Sequence, residues 1–307
     1  MDIAVTGSTG LIGTRLVRDL SAEGHRVLRL VRPGSGPSGG DTAVWDPAAG
    51  TIDAAALEGI DAVVHLAGEG IAEKRWTDEQ KDRILSSRTE GTELLARTLA
   101  GLDRPPATFL SGSAIGYYGD TGDSVTDESG SAGDDFPARV CVQWEAAAAP
   151  AVEAGLRVAY LRTGIVLDAG GGALGRQLPF FRFGLGGRAG SGRQYLSWIT
   201  LRDEVRAIRF LLDAGIAGPV NLTAPAPVTN AEFTKTLGRV LGRPTTILPM
   251  FGPRLLFGRE LADSLLLTSQ RVVPAALEAA GFSFEDPELE GGLRAVLGRS
   301  PAVASAA

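Results

Sequence analysis

The residues best equipped for chemistry stand at the start of the chain. Gly7-Ser8-Thr9-Gly10-Leu11-Ile12-Gly13 has the pattern G-x-x-G-x-x-G. The apolar run Ile3-Ala4-Val5-Thr6 precedes it, and a stretch with Leu16, Val17 and Leu20 on one helical face follows. A strand, a glycine turn and a helix in that order form the context a dinucleotide-binding turn requires. Gly7 permits the sharp turn, Gly10 lets the backbone approach a diphosphate, and Gly13 lets the helix pack on the strand. The free N–H groups of the first helical turn then face the phosphates with the positive end of the helix dipole behind them.

The next strand addresses which dinucleotide is held. Binders of NAD carry an acidic residue about 20 positions after the glycines, on the ribose 2′-hydroxyl. Here that place holds Arg32, in Leu30-Val31-Arg32-Pro33, with Arg29 on the same strand. A guanidinium there suits a 2′-phosphate. The expected cofactor is therefore NADP(H).

Further along, Ser111-Gly112-Ser113 ends a strand and Tyr117-Tyr118 follows, which brings hydroxyls and phenols together. Cys141 and Glu145 lie four apart on a helix, so they share a face. Cys141 is a weak acid or a buried apolar residue, and Glu145 is a proton acceptor, a partner for ribose hydroxyls or an exposed helix position. His65 ends a buried strand and is expected to be packed there. Arg88, mid-helix, is a buried anchor or a phosphate partner. Arg193, Gln194 and Trp198 stand in a glycine-rich setting suited to an anionic or hydroxylated substrate, or to a plain loop. The acidic run Asp120, Asp123, Asp127, Glu128, Asp134 and Asp135 lacks EF-hand spacing and reads as a solvated lid.

These residues need elements to position them. Short apolar runs alternate with helical patterns, which indicates an α/β fold with a Rossmann-type, doubly wound parallel sheet. Strands are expected at 3–6, 26–31, 43–45, 62–66, 108–111, 157–161 and 220–222. The long helix opening at Thr77 has Gln80 as its reciprocal capping partner and ends at Gly101. A helix over about 138–153 should be interrupted by Pro150. The glycine-crowded stretch after Val166 reads as a mobile loop region. A small, mostly helical part follows, with helices near 231–241, between 253 and 267, at 274–280 and near 288–297. The tail from Ser300 to Ala307 is expected to be disordered.

The chain has 307 residues, a net charge of −6, two histidines and one cysteine. One cysteine excludes an intrachain disulfide, and so few soft ligands argue against a zinc site. No metal is expected. No basic stripe suggests nucleic acid. The N-terminus lacks a secretory pattern, and no apolar run approaches the roughly 20 residues that span a bilayer. No membrane partner and a cytoplasmic location are the expectations.

With the glycine turn, His65-Leu66-Ala67-Gly68 and the run Ser111 to Gly119 in place, the chain resembles the extended short-chain dehydrogenase/reductase family. The resemblance is to the nucleotide-sugar epimerase/dehydratase branch, and more narrowly to its epimerase-like subfamily with a C-terminal DUF1731 domain. It covers almost the whole chain, through Trp45-Asp46-Pro47, Ser87-Arg88, Trp144-Glu145, Ser197-Trp198-Ile199 and the segment 221–297. It implies a Rossmann domain over 1–166, to which about 196–224 returns, and a substrate-side lobe of 167–195 and 225–298. It implies that Leu66, Ala67 and Gly68 pass the ribose and diphosphate, that Ser111 and Ser113 lie beside the nicotinamide, and that the segment with Arg162 and Gly164 touches its carboxamide. It also implies a homodimer through the long helices.

Typical members carry Tyr-x-x-x-Lys on the helix after the acidic loop; here Cys141 and Glu145 occupy those positions. A carboxylate raises the pKa of a neighbouring acid, where an ammonium lowers it. The first reading is an atypical NADP(H)-dependent oxidoreductase acting on a small carbonyl, alcohol or activated alkene, with Ser113 and Tyr117 or Tyr118 polarising the reacting oxygen. The alternatives are an NADP(H)-binding sensor or scaffold without turnover, and an epimerase or dehydratase that recycles its bound nicotinamide.

Overall fold

The computed structural model of the chain describes residues 1–34 and 40–299. The expectation for 300–307 falls outside the described residues. In chain order the elements begin β1 (Asp2–Thr6), α1 (Leu11–Ala22), β2 (Arg26–Val31), β3 (Thr42–Asp46), β4 (Thr51–Ile52), β5 (Ala62–His65), α2 (Asp78–Ala100), β6 (Thr108–Ala114), α3 (Phe136–Ala146), α4 (Ala149–Glu153) and β7 (Arg157–Thr163). They continue β8 (Ile165–Leu167), α5 (Gly172–Arg182), β9 (Gly187–Ala189), β10 (Tyr195–Leu196), β11 (Trp198–Thr200), α6 (Leu201–Asp213), β12 (Gly218–Leu222), β13 (Val228–Thr229), α7 (Asn230–Leu241), β14 (Thr246–Leu248), α8 (Phe251–Phe257), α9 (Arg259–Leu267), α10 (Ala275–Ala279) and α11 (Leu289–Val296). Two compact units form. Of the described residues, the first takes those within 1–119, 131–163 and 205–221; the second takes those within 120–130, 164–204 and 222–299.

The first unit is built on a sheet with strand order β12-β7-β6-β5-β1-β2-β3-β4. β1, β2, β3, β5, β6 and β7 pair in parallel, and the short β4 is antiparallel to its neighbour β3. Order runs outward from β1 in both directions, so β1 and β5 flank the point where the winding reverses. Ligands of such sheets bind outside the carboxyl ends of the strands at that point. Ala4, Leu28, Val63, Phe109 and Val158 pack with Leu95, Ala96 and Leu99 of α2. Ile3, Val5, Val64 and Leu110 alternate with them and are equally buried. The sheet is covered on both faces, which is why its strands read as continuous apolar runs. As expected, the helix pattern over 138–153 is broken: α3 stops at Ala146, and Pro150 lies in the first turn of α4.

The second unit corrects two expectations. The glycine-crowded stretch is not simply loop, because 172–182 form α5 and 187–189 form β9. Leu174, Leu178 and Phe181 recur at helical spacing and enter one core with Trp198, Phe233, Leu237 and Leu293. The acidic run is not a free lid either. Thr121 N–H donates to Ser269 O at 2.8 Å, and Thr126 N–H donates to Arg271 O at 2.9 Å. Asp135 leaves the run to cap α3, accepting from Ala138 N–H at 2.9 Å.

Phe181 is 2% exposed. Phe181→Ala should cost about 3–5 kcal/mol in denaturant unfolding, the range for deleting a core aromatic. A loss under about 0.5 kcal/mol, the surface value, would return this stretch to loop.

Candidate functional site

The site begins at the glycine turn, between β1 and α1. Gly7 has φ +65°, and a Cβ there would lie 2.7 Å from the Leu66 carbonyl. Only glycine fits, because the turn after β5 presses against it. A Cβ on Gly13 would lie 2.2 Å from Gly7 O, so the helix sits directly on the turn. Gly10 N–H is used inside the turn, donating to Gly7 O at 3.0 Å. Gly10 caps α1 without a side-chain acceptor, and the first turn holds no acid. The amides of Leu11, Ile12 and Gly13 thus lack intrahelical partners. An uncapped helix start beside a glycine cradle fits a diphosphate. Ser8 is buried and Thr9 exposed at the rim.

A buried hydroxyl joins this turn to the next strand. Thr6 Oγ1 accepts from Leu66 N–H at 3.1 Å and from Ala67 N–H at 3.2 Å. It lies 2.7 Å from His65 Nδ1. With both lone pairs taken, the Thr6 proton must go to Nδ1, so His65 is neutral and carries its own proton on Nε2. Burial, aided by the Arg88 charge, lowers the His65 pKa to about 4. His65 is packed, as expected. The amides of residues 66 and 67 are committed to Thr6, so contact from this turn to a ligand falls to other atoms.

Arg88 proves to be an anchor. It donates to Glu69 O at 2.9 Å and to Ile84 O at 3.0 Å, and its guanidinium lies 4.9 Å from the Trp144 ring. A Cβ on Gly68 would come within 3.3 Å of it. Burial lowers the Arg88 pKa.

The centre of the site is a buried ion pair. Ser113 on β6 and Arg162 on β7 are in register. Both reach Glu145 on α3: Oε1 accepts from Ser113 Oγ at 2.7 Å and from Arg162 Nε at 2.8 Å, and Oε2 accepts from an Arg162 terminal nitrogen at 2.9 Å. The two charged side chains are 11% and 4% exposed. Burial lowers the Arg162 pKa, but the hydrogen bonds and charge of Glu145 outweigh it and the net shift is upward. The other Arg162 terminal nitrogen donates to the Tyr118 hydroxyl at 2.9 Å, which donates to Asn221 Oδ1 at 2.7 Å.

This geometry corrects several expected roles. Tyr118 is buried with its hydroxyl fully engaged, so it is no proton donor to a substrate. Cys141 is buried, and burial together with the Glu145 charge pushes its thiol up to about 12, so it is no acid near neutrality. Ser113 directs its proton at Glu145 and does not polarise a substrate oxygen at the same time. Arg162, assigned by resemblance to the cofactor, grips Glu145. Tyr117 remains half-buried, with the Arg162 guanidinium 3.5 Å from its ring centre; its backbone carbonyl accepts from Gly133 N–H at 2.9 Å, while its hydroxyl has no hydrogen-bond partner among the described residues. Ser111 Oγ and Trp144 Nε1 are buried without partners.

In the second unit, Trp198 is 1% exposed and its Nε1 donates to Ala226 O at 3.0 Å. Gln194 is buried and donates to Ala189 O and Leu266 O. Neither reaches a substrate, because each is committed to the interior. Gly164 N–H donates to Leu222 O at 3.0 Å. Arg193 is exposed. Among the described residues no cluster could hold a metal ion, and no helix is long and apolar enough to cross a membrane.

Residue spacing points neither to Asn221 nor to the partner of Arg162. A signal for the second was present, since an arginine directly after the apolar run Val158 to Leu161 needs a counter-charge if the strand carries it into the interior.

Comparison with known proteins matches residues 3–222 to the NAD dependent epimerase/dehydratase family and 248–296 to the domain of unknown function DUF1731. The chain is 50% identical over 284 residues to epimerase family protein Mb2239 of Mycobacterium bovis, covering 92% of this chain and 93% of that protein. It is 38% identical over 303 residues to human epimerase family protein SDR39U1, covering 97% and 100%. The crystal structure of human SDR39U1 (isoform 2) with NADPH has a TM-score of 0.87 at 37% identity, covering 96% of this chain and 99% of that one.

His65 supplies a pH test. Its folded pKa of about 4 lies below the ordinary 6.5. The unfolded chain therefore binds its proton first, and stability is full above pH 6.5 and falls as pH drops toward 4. The loss at pH 4.5 should approach about 3 kcal/mol. Denaturant unfolding at pH 7.5 and 4.5 should show that part of the loss disappear in His65→Gln; an unchanged pH dependence would remove His65 from the account.

Proposed function

The chain belongs to the NAD dependent epimerase/dehydratase family, and from that premise we propose that it is an NADP(H)-dependent oxidoreductase of a small carbonyl or alcohol, with Ser113 and Glu145 as its proton-handling pair. The nicotinamide, when bound, supplies or accepts hydride. The protein's part is to hold the dinucleotide and to move one proton.

Holding falls to the glycine turn and Arg32. β1 and β2 are parallel neighbours with Val5 opposite Arg29. Arg32 therefore leaves β2 at the sheet edge where Gly7 leaves β1, and it is exposed there. A cation at that edge, on the second strand, suits a 2′-phosphate. The human relative's crystallisation with NADPH supports the same preference.

Proton movement rests on the 2.7 Å hydrogen bond from Ser113 to Glu145. In the oxidative direction the substrate O–H breaks and its proton passes to Ser113 Oγ, as the Ser113 proton passes to Glu145 Oε1. In reduction both transfers reverse. Arg162 holds the carboxylate in line, and Tyr118 with Asn221 holds Arg162. The observation that carries the reading is this pair, buried on the face where the resemblance places a tyrosine and lysine.

Calorimetry should show NADPH binding more tightly than NADH. Arg32→Glu should weaken NADPH by about tenfold to a hundredfold, the worth of a charge-assisted contact. Equal affinities that Arg32→Glu leaves unchanged would end the preference.

Glu145→Gln should retain NADPH affinity while carbonyl-dependent NADPH oxidation falls by about 10²–10⁴, the usual share of general acid–base catalysis. Full turnover in that variant would reject the pair. Turnover without release of oxidised cofactor would point to an epimerase, and redox silence with every carbonyl tried would point to a binding protein.

A further inference from the structure

The chain is acidic as a whole, yet its charges are unevenly placed. No acidic residue lies between Asp168 and Asp203, where there are five arginines, and none lies between Glu232 and Glu260, where there are four arginines and a lysine. The two segments meet in the second unit. β9 and β14 pair in parallel, with Gly187 opposite Thr246, and a Cβ on Gly184 would lie 3.3 Å from Pro244.

The same two segments carry most of the chain's exposed large apolar side chains. Phe180, Phe183 and Leu185 stand at the end of α5, and Phe183 is 81% exposed. Ile247 stands on β14. Phe251 and Leu255 stand on α8 at 75% and 77% exposure, and α8 buries none of its own residues. The three-residue strand pair joins the two clusters. Exposed apolar side chains concentrated on two joined segments point to a contact face.

The charges select what it contacts. Arg239 and Arg254 are answered by Glu290 and Asp263. Arg182 and Arg243, exposed beside the first cluster, meet no acidic side chain among the described residues. A second copy seated by a two-fold axis would bring this cationic face against itself. An anionic partner is required. Protruding phenylalanines and leucines flanked by arginines are the composition of elements that lie in the headgroup region of anionic membranes. We propose that the face formed by the end of α5, the β9–β14 pair and α8 docks on the surface of an anionic lipid bilayer. It lies on the membrane and does not span it.

Flotation of the full chain with vesicles tests this. Vesicles of phosphatidylcholine with about a third phosphatidylglycerol should bind at least ten times more protein than phosphatidylcholine alone, and added salt should weaken binding. Arg182→Glu with Arg243→Glu should reduce partitioning by about thirtyfold or more, at roughly tenfold per lost cation or somewhat less. Phe183→Ser with Leu255→Ser should reduce it comparably, and all four positions are exposed, so an unchanged thermal melt shows the fold kept. Equal binding to neutral and anionic vesicles, or none to either, overturns the proposal. So does light scattering that shows a dimer broken by the Phe183→Ser/Leu255→Ser variant, or retention on poly-glutamate without vesicle binding, which would assign the face to an acidic protein.

Discussion

The architecture of the site turns on the pairing of Arg162 with Glu145. A guanidinium inside a β-strand, buried under a helix, is tolerable only with a fixed counter-charge and its remaining donors satisfied. Glu145 provides the charge through two parallel hydrogen bonds, and Tyr118 with Asn221 receives another. One arginine thereby ties β7, α3, the turn after β6 and β12 into a single polar cluster. The same requirement explains the missing lysine. An ammonium at position 145 would stand beside Arg162 as a like charge in a poorly solvated place, so Arg162 and a Tyr-x-x-x-Lys pair are mutually exclusive here. The two departures from the family pattern are one departure, and Cys141 follows from it: burial and the Glu145 charge outweigh the pull of Arg88 and Arg162, an anion is disfavoured there, and a small buried side chain fills the space.

The glycine turn rests on a different device. Thr6, placed where β1 ends, accepts two backbone N–H groups from the turn after β5 and gives its own proton to His65. The two strands at the winding reversal are locked to one another just below the turn. A diphosphate site needs its amides fixed before the ligand arrives, since ordering them on binding costs affinity. The hydroxyl, the neutral imidazole and the close contact at Gly7 all serve that fixity, and Arg88 does the same for the loop at Gly68 and Glu69.

What could be read from residues alone follows from the range of each interaction. The turn at 7–13, the strands of the sheet and the capping of α2 by Thr77 are local, and each depends on neighbours within a few positions. The role proposed for Arg32 is local in the same way, one strand away from the turn. The Ser113–Glu145–Arg162 cluster joins three elements 17 to 49 positions apart, and nothing in the spacing of any one of them announces it. Trp198 and Gln194 look like site residues because they stand among glycines, yet the core around Leu178 and Phe181 absorbs the one and backbone carbonyls absorb the other. Glycine content suggested a loop where the i, i+4, i+7 spacing of Leu174, Leu178 and Phe181 already favoured a helix; the periodic apolar signal is the stronger one when the two disagree.

Net charge hides in the same way. A value of −6 suggests a uniformly acidic surface, and averaging over the chain conceals two acid-free segments that the β9–β14 pairing sets side by side. Electrostatic attraction to an anionic surface decays within about 8 Å at physiological salt, so the charges that count are those on the face presented, not the total. Acidic residues elsewhere in the chain are repelled by the same lipid, so attraction falls to the two acid-free segments. The uneven distribution of charge thus supplies the attraction, and it needs no segment long enough to enter the bilayer.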